Sequence, residues 1–241
     1  MTQTLLQICT RVLDEISSFA APTYIIDNTD PLAVNLLALA KKVGDELVRD
    51  YDWQELSKTA TVTTTAGVSL YNLESDYDRI APDTMWDATL YRIMFGHTNR
   101  RNWSAITNSQ VASSGSPYYW RLKGGKIQLE PAAADAFSIS YEYMSNIYCE
   151  SSGGDDRASG WVADDDVPKL PADLFIHGIR YYFTKSKGLP YGDAEAEYDA
   201  VIESRQGRNV PAECIDFSSG IVLPRNDDVS RLNVPDTITG Y

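Results

Sequence analysis

The sequence predicts an α+β protein: a four-helix bundle formed by N- and C-terminal helix pairs, an inserted small antiparallel β domain, and an extended C-terminal arm. Three observations predict it. Apolar residues recur at three-and-four spacing near both ends of the chain, alternating β-branched runs fill the middle, and the last 32 residues of the 241 carry prolines without helical period. Two helix pairs with one apolar stripe each bury those stripes most economically against one another, which leaves the β segment as an insertion. The divisions fall at 1–57 with 168–209 for the bundle, 58–167 for the β-rich domain and 210–241 for the arm.

The first helix is predicted from Thr4 to Phe19, where Leu5, Ile8, Cys9, Val12, Leu13, Ile16 and Phe19 share a face. Asp30 as N-cap and Pro31 at the first helical position open a second, which runs to about Trp53. Then the period changes. Thr59–Thr65 and Val68–Leu73, joined through Ala66-Gly67, predict one hairpin; Tyr118–Leu122 and Ile127–Leu129 around Gly124-Gly125 predict another. A short helix is expected between them at Trp103–Val111. Phe137–Tyr143 alternates as a half-buried strand should. An acidic, glycine-rich loop from Ser151 to Asp166 ends the β region, and helices return at about Pro171–Lys187, closed by Gly188, and at Asp193–Arg208.

Composition excludes several classes. Hydrophobic residues at 43% and charged residues at 23% describe a globular chain, which rules out disorder and collagen. The longest apolar run, Leu36–Ala40, is far below the roughly 18 residues a membrane helix requires, and the N-terminus has no basic start before an apolar stretch. Neither a membrane span nor secretion is expected. With 21 basic and 34 acidic residues the net charge is −13, the wrong sign for a broad phosphate-neutralising face, so sequence-specific DNA binding is not expected. Cys9, Cys149 and Cys214 are scattered and odd in number, which predicts reduced thiols rather than a disulfide framework.

The chemistry-bearing residues form no recognisable site. His97 and His177 belong to no metal-ligand spacing and are assigned structural roles, and Asp164-Asp165-Asp166 lacks a calcium-loop pattern, so a solvated acidic loop is expected. No phosphate-cradling glycine motif or nucleophile elbow is present. The expectation is therefore no catalytic residue, no metal and no cofactor. Aromatic residues are the exception. Trp86, Trp103, Tyr118, Tyr119 and Trp120 crowd the β segment, with Tyr141 and Tyr143 on its last strand; such rings fill a small-sheet core, stack sugars or anchor an interface.

Several stretches occur in an order that resembles the head-to-tail adaptor family of tailed bacteriophages, the tail-tubular-protein-A type ring proteins beneath the portal. They are Asp52-Trp53-Gln54-Glu55-Leu56 leading into a Thr-rich hairpin, Tyr77 to Asp87, Trp120 to Pro131, Ile139 to Tyr143, and a closing helical stretch with Tyr181-Tyr182, Lys187-Gly188-Leu189 and Tyr198. The resemblance covers roughly Thr4 to Asn209. It implies a structural virion protein in the neck, assembled in the host cytoplasm. The implied assembly is a dodecameric ring joining the portal to a tail tube or nozzle protein, with DNA passing through unbound by sequence. On that reading Trp86, Trp103, Tyr118 and Trp120 are candidate tail-side interface aromatics. The rival classes are a cell-envelope polysaccharide hydrolase and a carbohydrate-binding tail component.

Charge and the arm complete the expectation. Residues 168–209 hold six basic and six acidic side chains while residues 1–57 hold four and nine, so unlike surfaces of neighbouring copies can meet head-to-tail. The arm carries Ile215, Phe217, Ile221, Val222, Leu223, Leu232, Val234, Ile238 and Tyr241 among Pro211, Pro224 and Pro235. Such spaced apolar groups suit docking on a partner, the adjacent copy or the portal.

Overall fold

The structure, a computed structural model, describes residues 3–16, 19–96, 99–108 and 118–209. His97, Cys214, the end of the predicted 103–111 helix and the arm with its nine anchors lie outside the described residues. In chain order the elements begin with α1 Leu5–Ile16, α2 Pro31–Asp50 and a 3-10 turn Gln54–Leu56. Next come β1 Ser57–Thr63, β2 Leu70–Asn72, β3 Tyr77–Ile80, β4 Trp86–Asp87, β5 Arg92–Ile93, β6 Phe95–Gly96 and α3 Arg100–Asn108. The order closes with β7 Tyr119–Leu122, β8 Lys126–Glu130, β9 Ser138–Ser145, β10 Cys149–Glu150, β11 Val167–Pro168, α4 Ala172–Ser186 and α5 Gly192–Asn209. The fold is α+β. In its described part the chain divides into two compact units, one within Met1–Lys58, Ser75–Ile80 and Tyr143–Val210, the other of Thr59–Glu74 and Ala81–Glu142.

In the first unit α4 is the hub, in contact with α1, α2 and α5. Its Leu174, Phe175, Ile176, Ile179 and Phe183 are fully or almost fully buried among Leu5, Ile8, Val12, Leu36, Ala40 and Val43. The helix ends are closed as the sequence predicts at two places. Asp30 accepts from Leu32 N at 2.9 Å, and Gly188, with φ of 69°, turns the chain after α4. At the start of α1, Thr4 and Gln7 exchange side-chain bonds in a capping box, Thr4 N to Gln7 Oε1 at 3.1 Å and Gln7 N to Thr4 Oγ1 at 3.4 Å. Tyr148 fills a slot against α2: a Cβ on Gly44 would lie 2.4 Å from the ring, so glycine is required there despite its helix cost. Cys9 and Cys149 are buried free thiols, and burial raises both to about 12, reinforced by the nearby carboxylates Asp164 and Asp166 respectively. They stay protonated and unreactive while the unit is folded.

The triplet Asp164–Asp166 corrects the expectation of a solvated loop. Asp166 is wholly buried; its Oδ1 accepts from Arg157 Nε at 2.9 Å and its Oδ2 from Val162 N and Ala163 N, each at 2.8 Å. Asp164 Oδ1 accepts from Ile25 N and Ile26 N at 2.9 Å. The backbone carbonyls of Asp166 and Asp164 take the first donors of α1, Leu5 N at 2.9 Å and Leu6 N at 3.2 Å. Only Asp165 faces solvent, with Ser152 Oγ donating to it at 2.7 Å.

Asp76 holds a second polar knot in this unit, accepting from Lys58 Nζ at 2.6 Å, Tyr143 Oη at 2.8 Å and Ser145 Oγ at 2.8 Å. Lys58 also reaches Asp156 at 2.6 Å, and Lys169 donates to the same carboxylate. Burial alone pushes the Asp76 carboxyl up, but the donors Lys58, Ser145 and Tyr143 overcome it and hold it at about 2. A depressed carboxyl stabilises the fold above its unfolded value near about 4 and loses that contribution as pH falls towards 2. Asp76→Asn is therefore expected to unfold at lower urea than the parent at pH 7, with the gap narrowing between pH 4 and 2. A gap unchanged across that window would contradict the assignment.

The second unit holds two sheets. One has the order β1-β9-β4-β5 and the other β2-β8-β7-β6. The β7–β8 hairpin is the one the sequence predicts, Leu122 opposite Ile127, with Gly124 and Gly125 at φ of 59° and 71°. The predicted hairpin at 59–73 does not form. β1 pairs with β9, whereas β2 pairs with β8, Tyr71 opposite Ile127. The reason lies at Thr64, buried, whose hydroxyl donates to Asp135 O and accepts from Phe137 N, both at 2.8 Å. That anchor, with Gly67 N on Ala133 O at 2.8 Å, carries the chain over to the other sheet. The sheets also depart from the antiparallel expectation at one place, since β6 pairs with β7 in parallel. α3 begins three residues before its predicted start because Asn99 caps it, accepting from Asn102 N at 2.8 Å.

Candidate interaction surface

Two stretches that look unrelated in the sequence meet at the C-terminal end of α2. Asp52 accepts from Arg79 Nε at 2.5 Å, and the same guanidinium donates to Val48 O at 2.9 Å and Tyr51 O at 2.6 Å. Trp53, 1% exposed, donates from its indole to Leu47 O at 2.8 Å. The last carbonyls of a helix have no internal partners, so Arg79 and Trp53 act together as its cap. Beside them α5 ends. Gln54 Nε2 donates to Asn209 O at 2.7 Å, Tyr51 Oη to Gln206 O at 3.4 Å, and a shallow depression of about 90 Å³ is lined by Trp53, Glu55, Pro171, Arg205, Arg208 and Asn209.

A family model described as SU10 adaptor protein matches residues 3–212. The chain belongs to that family. It is a family of phage head-to-tail adaptors, and the adaptor is thus a structural protein of a bacteriophage. Among curated proteins there is no match. Asp52, Trp53 and Arg79, which lie in stretches that carry the resemblance, close the end of α2.

The adaptor's other distinctive surface is on the second unit. Of the four candidate aromatics, Trp103 and Trp120 are buried and Trp86 and Tyr118 half-buried. The structure does not bring all four together. Trp103 lies under the Arg121 guanidinium, 4.3 Å from its ring centroid, while Trp86 pairs across strands with Ile93 and Ser140. Tyr118 instead joins Phe95, ring centroids 4.8 Å apart, with Tyr119 5.2 Å from Tyr118 and the Arg92 guanidinium 5.0 Å above the Tyr118 ring.

Exposed apolar side chains are frequent in the stretch that leads into β6: Phe95 is 53% exposed, Leu90 47% and Tyr91 79%. Tyr91 sits at the β4–β5 turn with φ of 54°, a left-handed conformation costly for a bulky side chain, and Asp87 holds the turn by accepting from Thr89 N and Leu90 N at 3.0 and 3.1 Å. Leu90, Tyr91 and Phe95 escape a reading that looks for tryptophans. A signal for them exists in the charges: residues 88–129 contain six basic side chains and no acidic one, in a chain of net charge −13. The total for residues 58–167, nine basic and fourteen acidic, conceals it.

No group of three or more His, Cys, Asp or Glu among them is placed to hold a metal ion, and no described helix is long and apolar enough to cross a membrane. His177 lies on α4 with Nδ1 3.7 Å from Glu197 Oε2. A broader depression of about 490 Å³ on α2 is lined by Ala38, Lys41, Lys42, Asp45, Glu46 and Arg49, three cations and two anions that largely offset each other.

Proposed function

We propose that copies of this chain form a closed ring, a dodecamer, between the portal and a tail tube or nozzle protein in the virion neck, assembled in the host cytoplasm. DNA passes through the ring without sequence-specific binding, and no catalytic step, metal or cofactor is involved. The helices α1, α2, α4 and α5 serve as a four-helix body, the β-rich segment as its insertion and residues 210–241 as an arm that docks on the adjacent copy or the portal. The observation that carries this is the adaptor-family match across residues 3–212. Charge supports transit over binding: the first unit holds 13 basic and 23 acidic residues, net −10, so surfaces it presents to DNA repel phosphate.

The test is native mass spectrometry of the full chain, alone and mixed with the portal of the same phage. A single closed stoichiometry, formed either alone or on the portal, is expected. A chain that stays monomeric under both conditions is not a ring adaptor.

A further inference from the structure

The exposed apolar surface of the second unit is unusual in three ways at once. It combines Leu90, Tyr91 and Phe95 in water, it lies within the acid-free stretch 88–129, and it borders two open sheet edges. Among the described residues β5 and β6 are the last strands of their sheets, each paired on one side only, and residues 92–96 run from one edge to the other. An open edge flanked by large apolar side chains accepts an extended strand. Arg100 and Arg101, both exposed and without an ion pair among the described residues, open α3, the next element in the chain after β6. The strand it accepts should therefore be apolar, extended and acidic.

We propose that in the free chain this edge seats the chain's own segment 210–241. The segment has five acidic and two basic residues, net −3, and an Ile221-Val222-Leu223 run between proline-containing stretches. Charge favours the second unit: the first, at net −10, repels the segment, while residues 59–74 and 81–142 of the second hold six basic and six acidic side chains, net 0, with all six bases gathered within 88–129. Reach is no obstacle. Thirty-two residues span up to roughly 100 Å when extended, several times the roughly 12 Å radius of gyration expected for a unit of this size. Being tethered, the segment has an effective concentration of roughly millimolar order, so weak contacts suffice to hold it. Attachment to a partner is then an exchange, in which the segment leaves its own edge for another surface. The inference rests on reading 210–241 as a docking segment; it does not depend on the ring.

The test uses the full chain, diluted until native mass spectrometry shows monomer, with p-benzoyl-phenylalanine in place of Tyr91. This position is exposed enough to accept the probe without disturbing the core. Ordinary and 15N-labelled chains are mixed and irradiated, and the linked peptides sequenced. Links from position 91 to residues 210–241 bearing the same label are expected, and Arg100→Glu with Arg101→Glu should lower their yield at least fivefold. Links to another part of the chain, links to the segment of a differently labelled copy, or none at all, overturn the proposal. So does a surface that yields no links to the segment but is shielded by added duplex DNA, which would make it a nucleic-acid face. None of these outcomes bears on ring stoichiometry, so failure here is separable from failure of the adaptor assembly.

Discussion

Asp166→Ala is expected to destabilise the first unit by about 3–5 kcal/mol, enough to leave little of the marginal stability of a domain this size. The carboxylate is fully buried and satisfies three donors, and truncation strands two backbone N–H groups and removes the partner of Arg157. Each buried donor left unpaired costs about 1–3 kcal/mol. Arg157 adds less, because its side chain is 31% exposed and water can reach it. The loss spreads because the same loop supplies the carbonyls that begin α1 and the Asp164 carboxylate that fixes residues 25 and 26. Asparagine should not rescue: one of its two termini must present an amide N–H to either Arg157 or the two backbone donors. Asp165→Ala, next door but exposed, should change stability by no more than about 0.5 kcal/mol. Urea unfolding followed by tryptophan fluorescence compares the two, since Trp161 lies buried in that loop. Equal midpoints for the two variants would show that the buried network holds nothing together.

That contrast marks the limit of legibility. Periodicity revealed α1, α2, α4 and α5, and local chemistry revealed the Asp30 cap, the Gly188 turn and the β7–β8 hairpin, because each is written within a few adjacent residues. What depended on distant partners was hidden. The Asp164–Asp166 triplet looks like a solvated charge run until residues 5, 6, 25 and 26 arrive against it. The run 59–65 shows its strand character but not its neighbour, which is β9, because pairing is decided by the Thr64 anchor to residues 135 and 137. Asp52 and Arg79 lie in separate stretches of the family resemblance, and their 2.5 Å contact at the end of α2 could not be read from either stretch. At the candidate surface, Tyr118 was legible as an aromatic in the β segment. Leu90, Tyr91 and Phe95 were not, because exposure at a strained turn and a sheet edge leaves no periodic trace.

Gly96→Ala is expected to cost the second unit about 3 kcal/mol, at the upper end of ordinary overpacking. A Cβ at this position would lie 1.8 Å from Trp120 Nε1 and 2.1 Å from Cδ1 and Cε2. The indole cannot yield easily: Trp120 is 4% exposed on β7, directly opposite Gly96 in the parallel β6–β7 register. Either the ring leaves its site and opens a cavity beside Ile127 and Leu129, or β6 comes off the sheet. Both routes damage the edge that presents Phe95. Gly124→Ala is the control, since its φ of 59° carries strain but no atom lies within 4 Å of the added methyl, which predicts a cost of only about 1 kcal/mol. Hydrogen exchange locates the effect: amides of β6, β7 and β8 should lose protection in Gly96→Ala while those of α4 keep theirs. Trp120→Leu, added to Gly96→Ala, should recover part of the lost protection by making room for the methyl, although by itself it is destabilising. A Gly96→Ala protein with parental protection on β7 would mean that the indole does not lie over Gly96, and the packing of this unit would have to be redrawn.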